Sequence, residues 1–188
     1  MIRTLAIAAA VSALAIPAVA AAADPAFDAF QAVCWAPGDD YMGVLKAASD
    51  AGWSDTAVSG GDEQGVSITD KAAKEKAVDG GGRLTLLVTR GLRHLSKGGD
   101  LKVTTCKLSF SKADPALIGT ATAWLGGDAP DNDKDPTLAI YYVGLASGKP
   151  NHVGKPGMNA ALAGGGLSIL KFQQDSDSSI VVDQSYSK

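Results

Sequence analysis

Histidine, cysteine and glutamate are scarce in this chain, and each scarcity narrows its chemistry. Two histidines among 188 residues, His94 and His152, leave few imidazoles for acid–base or metal work near neutral pH. Glutamate occurs only at Glu63 and Glu75, so a glycosidase-like carboxylate pair would have to be built from aspartates, which fall mainly in loops. The chain has no Gly-x-Ser-x-Gly elbow, no His-Glu-x-x-His, no Walker loop and no dinucleotide fingerprint. Ser-x-x-Lys occurs at Ser109 with Lys112, Ser168 with Lys171 and Ser185 with Lys188. These copies lack the partner motifs of serine acyltransferases and lie on or beside predicted strands, where positions i and i+3 face opposite ways. A basic excess is also missing: 17 Lys and Arg stand against 20 Asp and Glu, a formal net charge of −3. That balance argues against nucleic acid or an anionic membrane as partner. No period of a repeat protein is present.

The one long apolar run is N-terminal. In MIRTLAIAAAVSALAIPAVA, Arg3 precedes an apolar stretch from Leu5 to Ile16, Pro17 breaks it, and Ala18-Val19-Ala20 supplies a small-residue cleavage motif. This is the layout of a secretory signal peptide over residues 1–20, with cleavage after Ala20 or Ala23. The stretch is shorter than the roughly 20 residues a helical span needs. No cysteine stands at the cleavage site to carry a lipid. The expectation is a single exported α+β domain over 24–188, in a bacterial periplasm or secreted, with no membrane insertion after cleavage. Loss of Arg3 makes that domain one unit more negative. Its 46% apolar and 20% charged composition suits a globular fold rather than a disordered one.

In an oxidising compartment the two cysteines, Cys34 and Cys106, are expected to pair. Closing a loop of roughly 70 residues would stabilise the fold by about 4 kcal/mol in the chain-entropy model.

Apolar spacing predicts the elements. Asp24-Pro25 opens a helix with Phe27, Phe30 and Cys34 on one face. Asp39 caps a second, striped by Tyr41, Val44, Leu45 and Ala48 and stopped at Gly52. Good helix formers predict a short polar helix over 71–78. Residues 83–110 read as a hairpin. Its first strand has period two, with Leu84, Leu86, Val88 and Leu92 on one side. In the second strand Leu101 and Val103 fall out of phase with Cys106, Leu108 and Phe110, which predicts a β-bulge at Thr104-Thr105 unless that strand is buried on both faces. Asp114-Pro115 opens a helix carrying Leu117, Ile118, Ala121, Trp124 and Leu125. Residues 137–145 read as a central strand and 156–163 as a short helix. A closing hairpin runs over 167–173 and 179–186. The sum is an α+β antiparallel sheet of about five strands, with the N-terminal helices and one further helix packed on it.

Candidate site residues are few. His152 lies between Lys149 and Lys155 in a Gly-containing loop suited to an anionic group. His94 ends the first hairpin strand. Asp131, Asp133 and Asp135 repeat the first ligand spacing of a calcium loop, but Pro136 stands where that loop needs glycine and Tyr142 where it needs glutamate. Trp35, Trp53 and Trp124 sit on or after helical stripes, as core residues do. The sequence thus points to a soluble exported binding or interaction protein for a small molecule or an envelope protein, without cofactor or catalysis. The alternative is a periplasmic hydrolase using His94 or His152 with an aspartate.

Overall fold

In the computed structural model, which describes residues 25–96, 98–132, 135–145 and 150–187, alternating apolar side chains build one antiparallel sheet of eight strands. These are β1 (Ser54–Asp55), β2 (Ser67–Ala77), β3 (Arg83–His94), β4 (Asp100–Phe110), β5 (Leu138–Gly144), β6 (Asn151–His152), β7 (Leu167–Gln174) and β8 (Ser179–Ser187). Their order across the sheet is β1-β2-β3-β4-β8-β7-β5-β6. Helices α1 (Pro25–Ala29), α2 (Tyr41–Asp50), α3 (Leu117–Trp124) and α4 (Gly154–Gly164) accompany it, and α1 runs on into a π-helical segment, Phe30–Trp35. Among the described residues no helix is long and apolar enough to cross a membrane. The signal-peptide segment lies outside the described residues.

The α+β class holds, but the count of about five strands does not. The predicted helix over 71–78 is most of β2, which pairs with β3 from Ser67↔Leu92 to Ala77↔Arg83. Helix propensity there yields to tertiary pairing. Lys74 is buried with its ammonium 2.6 Å from Asp55 Oδ1, and Ala72 and Ala73 offer small side chains to the two faces. β1 and β6 have two residues each, too short to leave a periodic signal. The strand expected to be central, β5, lies next to the sheet edge, covered only by β6.

The expected bulge in β4 is absent. β3 and β4 pair in unbroken register from Leu84↔Phe110 to His94↔Asp100. The phase slip arises because β4 is buried on both faces. Cys106, Leu108 and Phe110 join Leu84, Leu86 and Val88 in the main core. Leu101 and Val103 project from the other face into a smaller cluster with Tyr186, Val66, Leu162 and Ile169. The register shift falls instead in β2, between Ile68 and Asp70. Opposite it stands Gly91, where a Cβ would lie 2.4 Å from the Ser67 carbonyl oxygen.

The main core lies between the first face and α1, the π-helical segment, α2 and α3. Phe27, Phe30, Val33 and Cys34 meet Leu117 and Ala121 of α3 over Leu170, Phe172 and Tyr141. Trp35 and Trp124 pack edge-to-face with ring centroids 4.9 Å apart, and Trp53 is buried, so all three tryptophans belong to this core. The disulfide between Cys34 and Cys106 fastens the π-helical segment to β4. Asp40, one residue later than expected, caps α2 by accepting the Met42 N–H.

Candidate functional site

The acidic stretch after α3 folds along the outer edge of β5. Asn132 imitates a strand: its Nδ2 donates to the Leu138 carbonyl at 2.6 Å and its Oδ1 accepts the Ile140 N–H at 2.7 Å. The Asp131 N–H donates to the Ile140 carbonyl, and Asp131 Oδ2 accepts the Tyr142 N–H. Before the short pairing with β6, the edge groups of β5 from Leu138 to Tyr142 are thereby met mainly by the side chains of Asn132 and Asp131 and by the Asp131 N–H.

His152 locks this arrangement. Its Nε2 lies 2.9 Å from Asp131 Oδ2 and its Nδ1 3.2 Å from Asp128 Oδ2, with its ring edge-on to the buried Tyr141. The His152 and Asp131 side chains are only 15% and 14% exposed. Each ring nitrogen thus lies within hydrogen-bond distance of one carboxylate. The Tyr141 hydroxyl exchanges a 2.7 Å hydrogen bond with Thr122 of α3, tying the clamp to the helix above the sheet.

The remaining candidates are dispersed. His94 Nδ1 meets Asp100 Oδ1 at 2.6 Å at the exposed end of the β3–β4 hairpin. Lys155 is exposed on the first turn of α4, and His152 faces two carboxylates rather than this lysine. Lys149 and Asp133 lie outside the described residues. Asp135 accepts from the N–H and hydroxyl of Thr137, which holds its carboxyl below the usual range. Among the described residues no group of three or more His, Cys, Asp or Glu could hold a metal ion.

One carboxylate escaped the sequence reading. Asp183 on β8 faces the main core beside Cys106 and is 2% exposed. It accepts hydrogen bonds from the buried hydroxyls of Ser168 and Ser185. Burial pushes its carboxyl up to about 6, against the opposing pull of the two serines. Asp183 lines none of the cavities described here.

The second face of the sheet carries a different kind of site. The 56–66 loop crosses it, pinned at Asp62, Glu63 and Gln64. Lys71 Nζ meets Asp62, Glu63 accepts from Thr89 and Gln184, and Arg93 donates to the Gln64 carbonyl. Gly61, at φ +84°, lets the loop backbone settle on Leu87 and Thr89, where a Cβ would press within 3.0 Å of the threonine methyl. Between this loop and the strands is a cavity of about 280 Å³, floored by Leu87, Thr105, Lys107, Lys171, Val182 and Gln184.

Three described side-chain atoms are buried without a hydrogen-bond partner: Arg93 Nε, Thr105 Oγ1 and Asp114 Oδ2. Of these residues only Thr105 lines a described cavity, and it is 8% exposed. Its hydroxyl oxygen is itself buried, so other atoms of the residue meet the cavity. A larger cleft of about 410 Å³, walled by Pro25, Trp53 and Leu84, includes none of the three. Another of about 350 Å³ holds Arg90, already paired with Asp70 and stacked over Tyr41. The sequence signal for the second-face site was the period-two set Thr105 and Lys107 on β4 with Val182 and Gln184 on β8. Placing a bulge at Thr104-Thr105 hid it, because that reading folded both parities onto one face.

Comparison with known proteins found no matching family, no similar characterised protein and no similar solved structure.

Proposed function

We propose that this chain is an exported, non-catalytic binding protein whose ligand sits on the second face of the sheet, in the cavity beside the 56–66 loop. The observation that carries this reading is a preformed cavity lined by Lys107 and Lys171, neither of which has an ion-pair partner among the described residues. The N-terminal charge-and-apolar pattern supports export, and the Cys34–Cys106 disulfide suits an oxidising compartment.

The hydrolase reading has one point in its favour, the hydrogen-bond distance between His152 and Asp131. A carboxylate on each ring nitrogen leaves neither free to take a proton from a substrate. Neither histidine lines a described cavity. His152 is better explained as the clamp of the β5 edge.

The test is a thermal-shift screen of metabolites and envelope glycans, paired with a pull-down of envelope proteins. It is run on the purified protein and on Val182→Trp, which fills the cavity floor. Ligands of this site raise the melting temperature of the unmodified protein and leave Val182→Trp unmoved. Hits that stabilise both proteins equally would place recognition elsewhere, and silence from every class would refute a binding role.

A further inference from the structure

Taking the second-face cavity as the binding site, as proposed above, we infer that its ligand is a small organic anion, held by its carboxylate or phosphate group between Lys107 and Lys171. Both lysines are the direct lateral neighbours of Val182, one on β4 and one on β7, so they stand on either side of it on one face. Strands spaced about 4.8 Å apart put the two backbones roughly 10 Å apart. Four-carbon stems can span that separation, and both side chains line the same cavity. Neither ammonium has an ion-pair partner among the described residues, although both line the cavity.

The next row along the strands sets the other end of the ligand. Thr89, Thr105 and Gln184 lie side by side there. Glu63 reaches down from the loop and accepts from Thr89 at 3.1 Å and from Gln184 at 2.5 Å. Its carboxylate repels an anionic group from this end while its oxygens can accept a further donor. Asp62, the other acid of the lining, is held by Lys71. The cavity therefore has a cationic end and an accepting end. That polarity fits a molecule with an anion at one end and an amine or hydroxyl at the other. A volume of about 280 Å³ sits at the lower limit for ligand pockets, which excludes large ligands.

The test is a nitrogen-15 NMR titration of the purified protein with L-glutamate, succinate, inorganic phosphate, neutral 1,4-butanediol and cationic putrescine. The amides of Thr105, Lys107, Lys171 and Gln184 are followed. The expected result is that anionic probes move these four, that added salt weakens them, and that L-glutamate outcompetes succinate. The carboxylate and phosphate arms show which anionic group the lysines prefer. Lys107→Gln and Lys171→Gln each weaken binding roughly tenfold, whereas Lys102→Gln, on the opposite face of β4, leaves it unchanged. If butanediol or putrescine moves these amides and the anions do not, the ligand class is wrong and the site stands. If none of the five probes moves them, the inference and the second-face reading fall together.

Discussion

At Asp183 desolvation outweighs hydrogen bonding. Two serine hydroxyls favour the carboxylate, but burial beside the disulfide favours the acid, and the carboxyl is pushed up to about 6 from 3.8. The folded state therefore keeps a proton that the unfolded chain has already released between those values. The stabilisation is fully present below about pH 4 and is lost as pH rises through about 6. Its size is on the order of 3 kcal/mol. Asp183→Asn removes the titration. Urea denaturation is expected to show the variant gaining on the unmodified protein from pH 4 to pH 7.5 by about that amount. A pH-independent difference between the two would mean that Asp183 does not titrate in this window. Nothing in the sequence marked this residue. In IVVDQSYS the apolar and polar positions do not separate by parity, because β8 puts Asp183 and Ser185 on the core side and Tyr186 on the other.

At the level of elements, the β5 edge shows a polar stretch completing the hydrogen bonding of a strand. Residues 128–135 read in sequence as a solvated acidic run, with Asp131, Asp133 and Asp135 at the first ligand spacing of a calcium loop, yet Asn132 and Asp131 occupy the hydrogen-bonding positions of a missing strand. Asn132→Ala frees the Leu138 carbonyl and the Ile140 N–H. The expected loss is about 1–3 kcal/mol in chemical denaturation. Sedimentation velocity should also show concentration-dependent association through the bared edge. A monomeric variant of unchanged stability would mean that the edge needs no such cover. Helices were easier to read than these edges. The α2 stripe of Tyr41, Val44 and Ala48, closed by Gly52 at φ +79°, follows directly from spacing and capping. The 71–78 segment misled because Ala and Lys favour helices in isolation, while its pairing with β3 is set by residues far away in sequence.

For the whole molecule, the disulfide joins two layers whose packing is otherwise noncovalent. The π-helical segment rests on the sheet through Phe30, Val33 and Cys34, and β4 is held independently by β3 and β8. Reduction should therefore lower stability by about 4 kcal/mol in the chain-entropy model and release the N-terminal helices before the sheet. Limited proteolysis after reduction is expected to cut first within residues 25–52. Early cuts inside β3 or β4 would contradict this order. The class, the disulfide partners and both long hairpins were legible in the sequence, because each leaves a local periodic or compositional mark. The order of strands was not legible, since it depends on which distant segments meet.

That order has a consequence in time. β8, the last nine residues of the described chain, lies between β4 and β7. Until it arrives, β1 to β4 and β5 to β7 are two separate sheets, and the facing edges of β4 and β7 stand open. A chain that has not yet placed β8 carries both raw edges, so its vulnerability to mispairing lasts until that strand inserts.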